Sequence, residues 1–127
     1  MTLVLDSGGV TAIALSRAVV KSLRDQGAWP PLVPTAVLVE SLTGDHRKDF
    51  HADRLLRLCM KRDLTEIIAR HAAALRHKTR QDGISAVDAI VAATADHAGG
   101  GVVWTSDPKD LGALAGHTIH PVRVRKV

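Results

Sequence analysis

Two short apolar runs, Thr2 to Leu5 and Gly101 to Thr105, each break into a polar turn before a helical pattern begins; the turns are Asp6-Ser7-Gly8-Gly9 and Ser106-Asp107-Pro108. Runs of this length, apolar throughout, are the pattern of strands buried on both faces that feed a turn and then a helix. Between them, periodicity and capping residues predict helices over about 10–26, closed by Gly27, and about 35–43, opened by Thr35 after Pro34 and closed by Gly44. Further helices fit about 47–61, about 66–80, and Ser85 to Ala98, the last capped by Ser85 and ended by Gly99 to Gly101. Short strands are expected at Leu32-Val33, Leu64 to Ile67 and Ile119 to Val124, with Arg123 to Val127 as a basic tail. Strands alternating with helices imply an α/β fold around a mainly parallel sheet. No repeat, low-complexity tract or linker divides the chain, so one domain over residues 1–127 is expected.

Composition narrows the setting. With 127 residues, 46% of them hydrophobic, one substantial core is possible. The single cysteine, Cys59, lies in the helix-like run LLRLCM, where it suits a small buried hydrophobe; no intrachain disulfide can form, and a reducing compartment is the natural setting. The first residues carry no basic leader, and Asp6 and Arg17 interrupt the apolar run well short of the ~18 residues a membrane span needs. A soluble, cytoplasmic protein with no membrane partner is therefore expected. The formal charge of +4 and the pI near 9.7 favour polyanionic partners without establishing them.

The distribution of acids is more telling. Asp6 is the only charged residue from position 1 to 16, Glu40 the only one from 26 to 44, and Asp88 the only one from 83 to 95. Asp107 follows an apolar strand. An unpartnered carboxylate in an apolar setting costs several kcal/mol, so each must be neutralised, exposed at an edge or bound to a cation. Asp6 and Asp107 also suit turn or cap positions, and Glu40 suits a solvent-facing one. Asp88, alone in mid-helix, is the hardest to explain so. Because Asp6 and Asp107 both lie just beyond the carboxyl ends of parallel strands, where open α/β sheets bind ligands, the acids can converge in one pocket. There they repel one another until a hard divalent cation binds, and ligation by oxygen alone, without cysteine or histidine, suits Mg2+ or Mn2+ rather than Zn2+.

The segments LVLDSGGVTAI, PTAVLVESL, ISAVDAIVAATA and VVWTSDPKDL, in this order, resemble the PIN domain, and in this small form the VapC toxins of VapBC toxin–antitoxin pairs. The likeness runs from residue 3 to about 115. It implies a PIN-like three-layer sandwich, metal-binding and catalytic acids at Asp6, Glu40, Asp88 and Asp107, and a supporting acid at Asp110. It further implies Mg2+- or Mn2+-dependent endonucleolytic cleavage of RNA by metal-activated water, a homodimer, and inhibition by a cognate VapB-type antitoxin. Leu111, where Phe is commoner, and Ser7-Gly8-Gly9 depart from the family pattern without touching the acids. Thr105 and Ser106 are candidates to hold an acid or a water, although a strand-end hydroxyl also bonds its own backbone.

Arg17, Lys21 and Arg24 form a basic stripe along one helix face, as do Arg54, Arg57 and Lys61. The first stripe is the candidate surface for RNA phosphates. Two Trp, one Phe and no Tyr argue against a base-stacking platform, so recognition is expected to rest on backbone shape and hydrogen bonds, and Trp29 and Trp104 are expected in the core. The seven histidines show no ligand or triad spacing, and His71 and His77 read as part of a solvated helix face. Other readings are a PIN-type nuclease with an RNA-processing or DNA role, a PIN-like binding module that has lost catalysis, and an aspartate phosphotransfer domain. The last would want adjacent acids after the first strand, and Asp6 has no acidic neighbour.

Overall fold

A computed structural model describes residues 2–127. Its sheet has five strands, all parallel, in the order β3-β2-β1-β4-β5: β1 Thr2–Leu5, β2 Leu32–Pro34, β3 Met60–Arg62, β4 Gly101–Thr105 and β5 Val122–Lys126. Seven helices connect them among the described residues: α1 Ser7–Ala14, α2 Arg17–Asp25, α3 Thr35–Ser41, α4 Phe50–Leu58, α5 Glu66–Thr79, α6 Ala86–His97 and α7 Pro108–Ala115. Helices α5, α6 and α7 pack on one another, and α6 also meets β1, β2, β4 and β5; α1 packs against β4 and against α2, α3 and α4. The strand order reverses between β1 and β4. Loops leave a cleft at the carboxyl ends of the strands on either side of such a switch, the usual ligand position in an open parallel sheet.

The core explains why the apolar runs read so clearly. Val4, Leu5, Val33 and Val103 are wholly buried strand residues, and Val91, Ala92, Ala93 and Ala95 of α6 are equally hidden. Small alanines let α6 lie close to the sheet while α5 covers its other side.

Four boundaries differ from the sequence expectation. The first helix is two helices, because Ser16 caps a new one by accepting from Val19 N at 3.3 Å, although the apolar periodicity runs on through the break. The expected strand at Leu64 to Ile67 is instead the entry to α5, capped by Thr65; its place in the sheet is taken by Met60–Arg62, at the end of what had read as one long helix. Lys61 fits that edge by donating to the carbonyls of Leu56 and Cys59 at 2.6 and 3.1 Å, closing the end of α4 instead of extending a solvated basic stripe. Finally, the last strand is Val122–Lys126, so the basic tail is edge strand β5, in register with β4 from Gly101 to Thr105.

Candidate active site

Asp6 and Asp107 follow the two central strands across the switch point, and both occupy the position before a helix. Their carboxylates differ in what they do there. Asp6 is buried, and its Oδ1 accepts from Gly9 N at 2.9 Å, capping α1. Asp107 makes no such cap bond; Pro108, which has no N–H, opens α7, and the Asp107 backbone N–H donates to Thr105 Oγ1 at 2.9 Å. The Thr105 hydroxyl is thus occupied by local backbone, while the exposed Asp107 carboxylate remains free for other partners.

Asp88 enters from α6, one turn after its cap Ser85, whose Oγ accepts from Asp88 N at 3.0 Å. Asp110 comes from the first turn of α7. Asp88, Asp107 and Asp110 each present a carboxylate oxygen within 4.8 Å of the others. Burial, together with the negative charges of Asp6, Asp107 and Asp110, pushes the Asp88 carboxyl up to about 6 despite an opposing hydrogen bond from Ser85. The acids are therefore close enough to feel one another, and among the described residues no Lys, Arg or His forms an ion pair with any of them. Three carboxylates without histidine or cysteine fit a hard, oxygen-seeking divalent ion such as Mg2+ or Mn2+.

The glycines of the first turn make this convergence possible. Any Cβ at Gly8 would collide with the side chain and backbone of Ser106, and one at Gly9 would press on Trp104 O, so α1 can start hard against the end of β4 only without side chains. Glu40 is not one of the three grouped acids. It is exposed on α3 and faces a shallow hollow of about 410 Å³ lined also by Ser7, Gly8, Thr11 and Ser106. Ser106 is exposed at the same rim, one residue from Asp107.

A profile of the PIN domain matches residues 12–116. The chain belongs to the PIN-domain family. No curated protein matches it. Among solved structures, DNA-bound VapBC from Salmonella typhimurium superposes with a TM-score of 0.72 at 12% identity, covering 99% of this chain and 98% of that one. VapBC2 from Rickettsia felis, bound to a fragment of its promoter, gives 0.72 at 15% identity over 100% and 99% of the two chains. A toxin–antitoxin complex from Klebsiella pneumoniae gives 0.64 at 22% over 95% of each. At these identities the likeness is one of fold.

The basic stripe of this PIN domain lies elsewhere. Arg17, Lys21 and Arg24 of α2, with Arg54 of α4, line a cavity of about 560 Å³ whose walls include Ile13, Leu15, Trp29 and Leu58, and none of the acids named above lines it apart from the α2 residue Asp25. Arg24 also lies 5.1 Å from the Trp29 ring centre and Arg125 5.2 Å from that of Trp104; the two tryptophans pack against the core, as expected, but are only half-buried, with a cation over each ring. Cys59 is buried, which pushes its thiol up to about 11 against the pull of Lys61; it is a core residue.

Sequence reasoning missed three polar residues. Gln81, in the turn between α5 and α6, donates from Nε2 to Asp110 Oδ1 at 2.8 Å. Nothing in the local pattern marks it. Asp49 is buried beneath the α3–α4 loop and accepts from Thr43 N, Thr43 Oγ1 and Gly44 N at 2.9–3.0 Å. Asp96, two turns beyond Asp88, is 1% exposed and binds His71 Nε2 and His120 Nδ1, each at 2.9 Å, so His71 belongs to a buried network and not to a purely solvated face. The signal for Asp96 was the next charge along the same apolar helix.

Proposed function

We propose that this PIN domain is a divalent-metal-dependent endoribonuclease and the toxin of a toxin–antitoxin pair. The observation that carries the nuclease reading is the convergence of Asp88, Asp107 and Asp110, with Asp6 near enough to raise the Asp88 carboxyl, at the switch point of a parallel sheet. Asp88 and Asp107 are the residues that would hold Mg2+ or Mn2+, Asp6 would complete the charge through the carboxylate oxygen its cap bond does not use, and Glu40, across the hollow it shares with Ser106, would add a further acid. Such a cation activates water for attack on a phosphodiester and offsets charge developing on phosphate and leaving oxygen.

The chain's own residues set the conditions for that chemistry. In the metal-free protein, burial and neighbouring acids hold the Asp88 carboxyl up at about 6, so a divalent cation must compete with a proton there as the pH falls. The Mn2+ concentration needed for cleavage should therefore rise as the pH falls below about 6. The rigid strand ends beneath Asp6 and Asp107 hold two acids at fixed separation, and the +4 net charge draws RNA toward a site that would otherwise repel it. Arg17, Lys21 and Arg24 are the stripe proposed to meet phosphates.

Support for the toxin role is that the similar chains come from VapBC or toxin–antitoxin structures and are each matched over nearly their whole length. The apolar walls beside the α2 stripe suit an antitoxin segment with apolar and acidic side chains better than they suit RNA alone. A homodimer fits the exposed apolar residues Met60, on edge strand β3, and Leu64 and Ile67, which follow it in the chain. No described helix is long and apolar enough to cross a membrane.

The test is cleavage of structured and single-stranded RNA, with single-stranded DNA in parallel, by wild type, Asp6→Asn and Asp88→Asn in Mn2+ and in chelator. RNA cleavage by wild type alone, lost in chelator, together with growth arrest that either variant relieves, is expected. Equal cleavage by a well-folded Asp88→Asn protein would overturn the assignment, and cleavage of DNA in preference to RNA would move it to the alternative nuclease role.

A further inference from the structure

Asp110 was expected only to support the site, yet its carboxylate stands with those of Asp88 and Asp107, and its partner comes from a different part of the chain. Gln81 Nε2 donates to Asp110 Oδ1 at 2.8 Å across 29 residues of sequence. The turn that carries Gln81 is firmly shaped. Arg80 ends α5 in the left-handed conformation at φ 50°, Gly83 follows at φ 83°, and Ile84 is buried beneath the turn while its carbonyl accepts from Arg76 Nε at 2.9 Å. These fixed points project Gln81 toward α7.

The chemistry of an amide suits this position. Among like-charged carboxylates, an unsupported Asp110 would swing outward to water; a hydrogen-bond donor offsets part of that repulsion. Lysine or arginine would do so more strongly, but with a full positive charge that competes with a cation for the same acids. A neutral amide orients one oxygen of Asp110 and leaves the group's negative charge intact. We propose that Gln81 is a positioning residue that holds Asp110 as a third ligand for the divalent cation, an inference that rests on the nuclease reading above. The turn between α5 and α6 thereby couples to metal affinity, although it contributes no ligand of its own.

The decisive measurement is Mn2+ binding to the intact, RNA-free protein by calorimetry, for wild type, Gln81→Ala, Asp110→Ala and the double variant. Loss of a group that orients a metal-binding carboxylate costs about 10-fold or more in affinity. Gln81→Ala should weaken Mn2+ by that factor, and should weaken it no further once Asp110 is already alanine. In cleavage assays the deficit should appear in the Mn2+ concentration for half-maximal rate more than in kcat. Gln81→Met, similar in shape but unable to donate, should behave as Gln81→Ala does and guards against a packing defect; unfolding midpoints in chelator report folding for every variant. Undiminished Mn2+ affinity in Gln81→Met, or equal losses from Gln81→Ala in the presence and absence of the Asp110 carboxylate, would overturn the proposal. A wild-type protein that binds no Mn2+ would instead sink the nuclease reading on which it stands.

Discussion

Helix α6 carries two aspartates eight residues apart, about 12 Å along its axis, and their surroundings are opposite. Asp96, at the carboxyl-terminal end, is almost wholly buried yet fully partnered: Ile119 N and His120 N donate to it at 3.0 and 2.8 Å, and rings of His71 and His120 lie at 2.9 Å. Burial works against its charge, but the His120 and Ile119 donors and the nearby His71 outweigh it and hold the carboxyl below the usual range. Asp88, at the amino-terminal end, is half-buried with the Ser85 hydrogen bond as its one opposing donor, so burial first, and then the charges of Asp6, Asp107 and Asp110, push its carboxyl up. A structural acid is given its donors by the fold; Asp88 is left in want of a cation. Asp49, clamped by Thr43 and Gly44, belongs with Asp96: burial opposes its charge, the donors of the loop prevail, and its carboxyl is lowered.

The contrast is broken most forcefully by removing charge from each end in turn. Asp88→Asn should reduce RNA cleavage by at least about a hundredfold, as expected for a site built on charge stabilisation, while far-ultraviolet dichroism stays that of wild type. Asp96→Ala should do the reverse. It leaves two histidines and two backbone N–H groups without their acceptor and frees the segment that leads into β5, at a cost of about 3 kcal/mol. For a chain of this size that lowers the unfolding midpoint by about 10 °C in calorimetry, with residual cleavage wherever the protein remains folded. A cleavage defect in Asp96→Ala at temperatures where it is fully folded would show that the two ends are not separable.

This contrast also marks how far the sequence could be read. Asp6 and Asp107 stood out because the apolar runs before them could only be buried strands, and Asp88 because an alanine- and valine-rich helix offered it no cation. Strand β3 was hidden: an edge strand has water on one side and no need of alternation, so Met60–Arg62 looked like the end of a helix. The break at Ser16 was hidden because both helices carry apolar residues in continuous phase. Asp110 and Gln81 could not be paired from sequence, since 29 residues and a left-handed turn at Arg80 separate them. Asp96 was legible only as an isolated charge; its histidine partners come from α5 and from the segment before β5, and long-range contacts of that kind leave no local pattern.

The pH dependence of stability should separate the two acids more finely. In the metal-free protein Asp88 binds its proton more tightly folded than unfolded, where the ordinary value of 3.8 applies, so its favourable contribution is complete below 3.8 and is lost as the pH rises through about 6. Between pH 4 and pH 8 this amounts to about 1–3 kcal/mol of lost stability. Denaturant melts of wild type and Asp88→Asn should therefore diverge with rising pH, the variant being the more stable at pH 8, and saturating Mn2+ should close the gap. Asp96 and Asp49 carry the opposite sign: their contribution is complete above 3.8 and disappears as the pH falls through their lowered values. A pH-independent difference between wild type and Asp88→Asn would mean that Asp88 is not strained by its neighbours.

The smallest effect tests the residue that ties Asp88 to the start of its helix. Ser85 accepts from Asp88 N and also opposes the rise of the Asp88 carboxyl, so it serves the helix and the acid together. Ser85→Ala should cost about 1 kcal/mol from the lost cap, a fall of about 3–5 °C in the unfolding midpoint. Ser85→Asp keeps a cap and adds one more negative charge beside Asp88. The two variants therefore part company: in titrations of the metal-free protein followed by carbonyl NMR, both should move the Asp88 carboxyl upward, but only Ser85→Ala should lose the midpoint. If Ser85→Asp left the Asp88 titration where it is in wild type, charge at the amino-terminal end of α6 would not be what sets that carboxyl apart from Asp96.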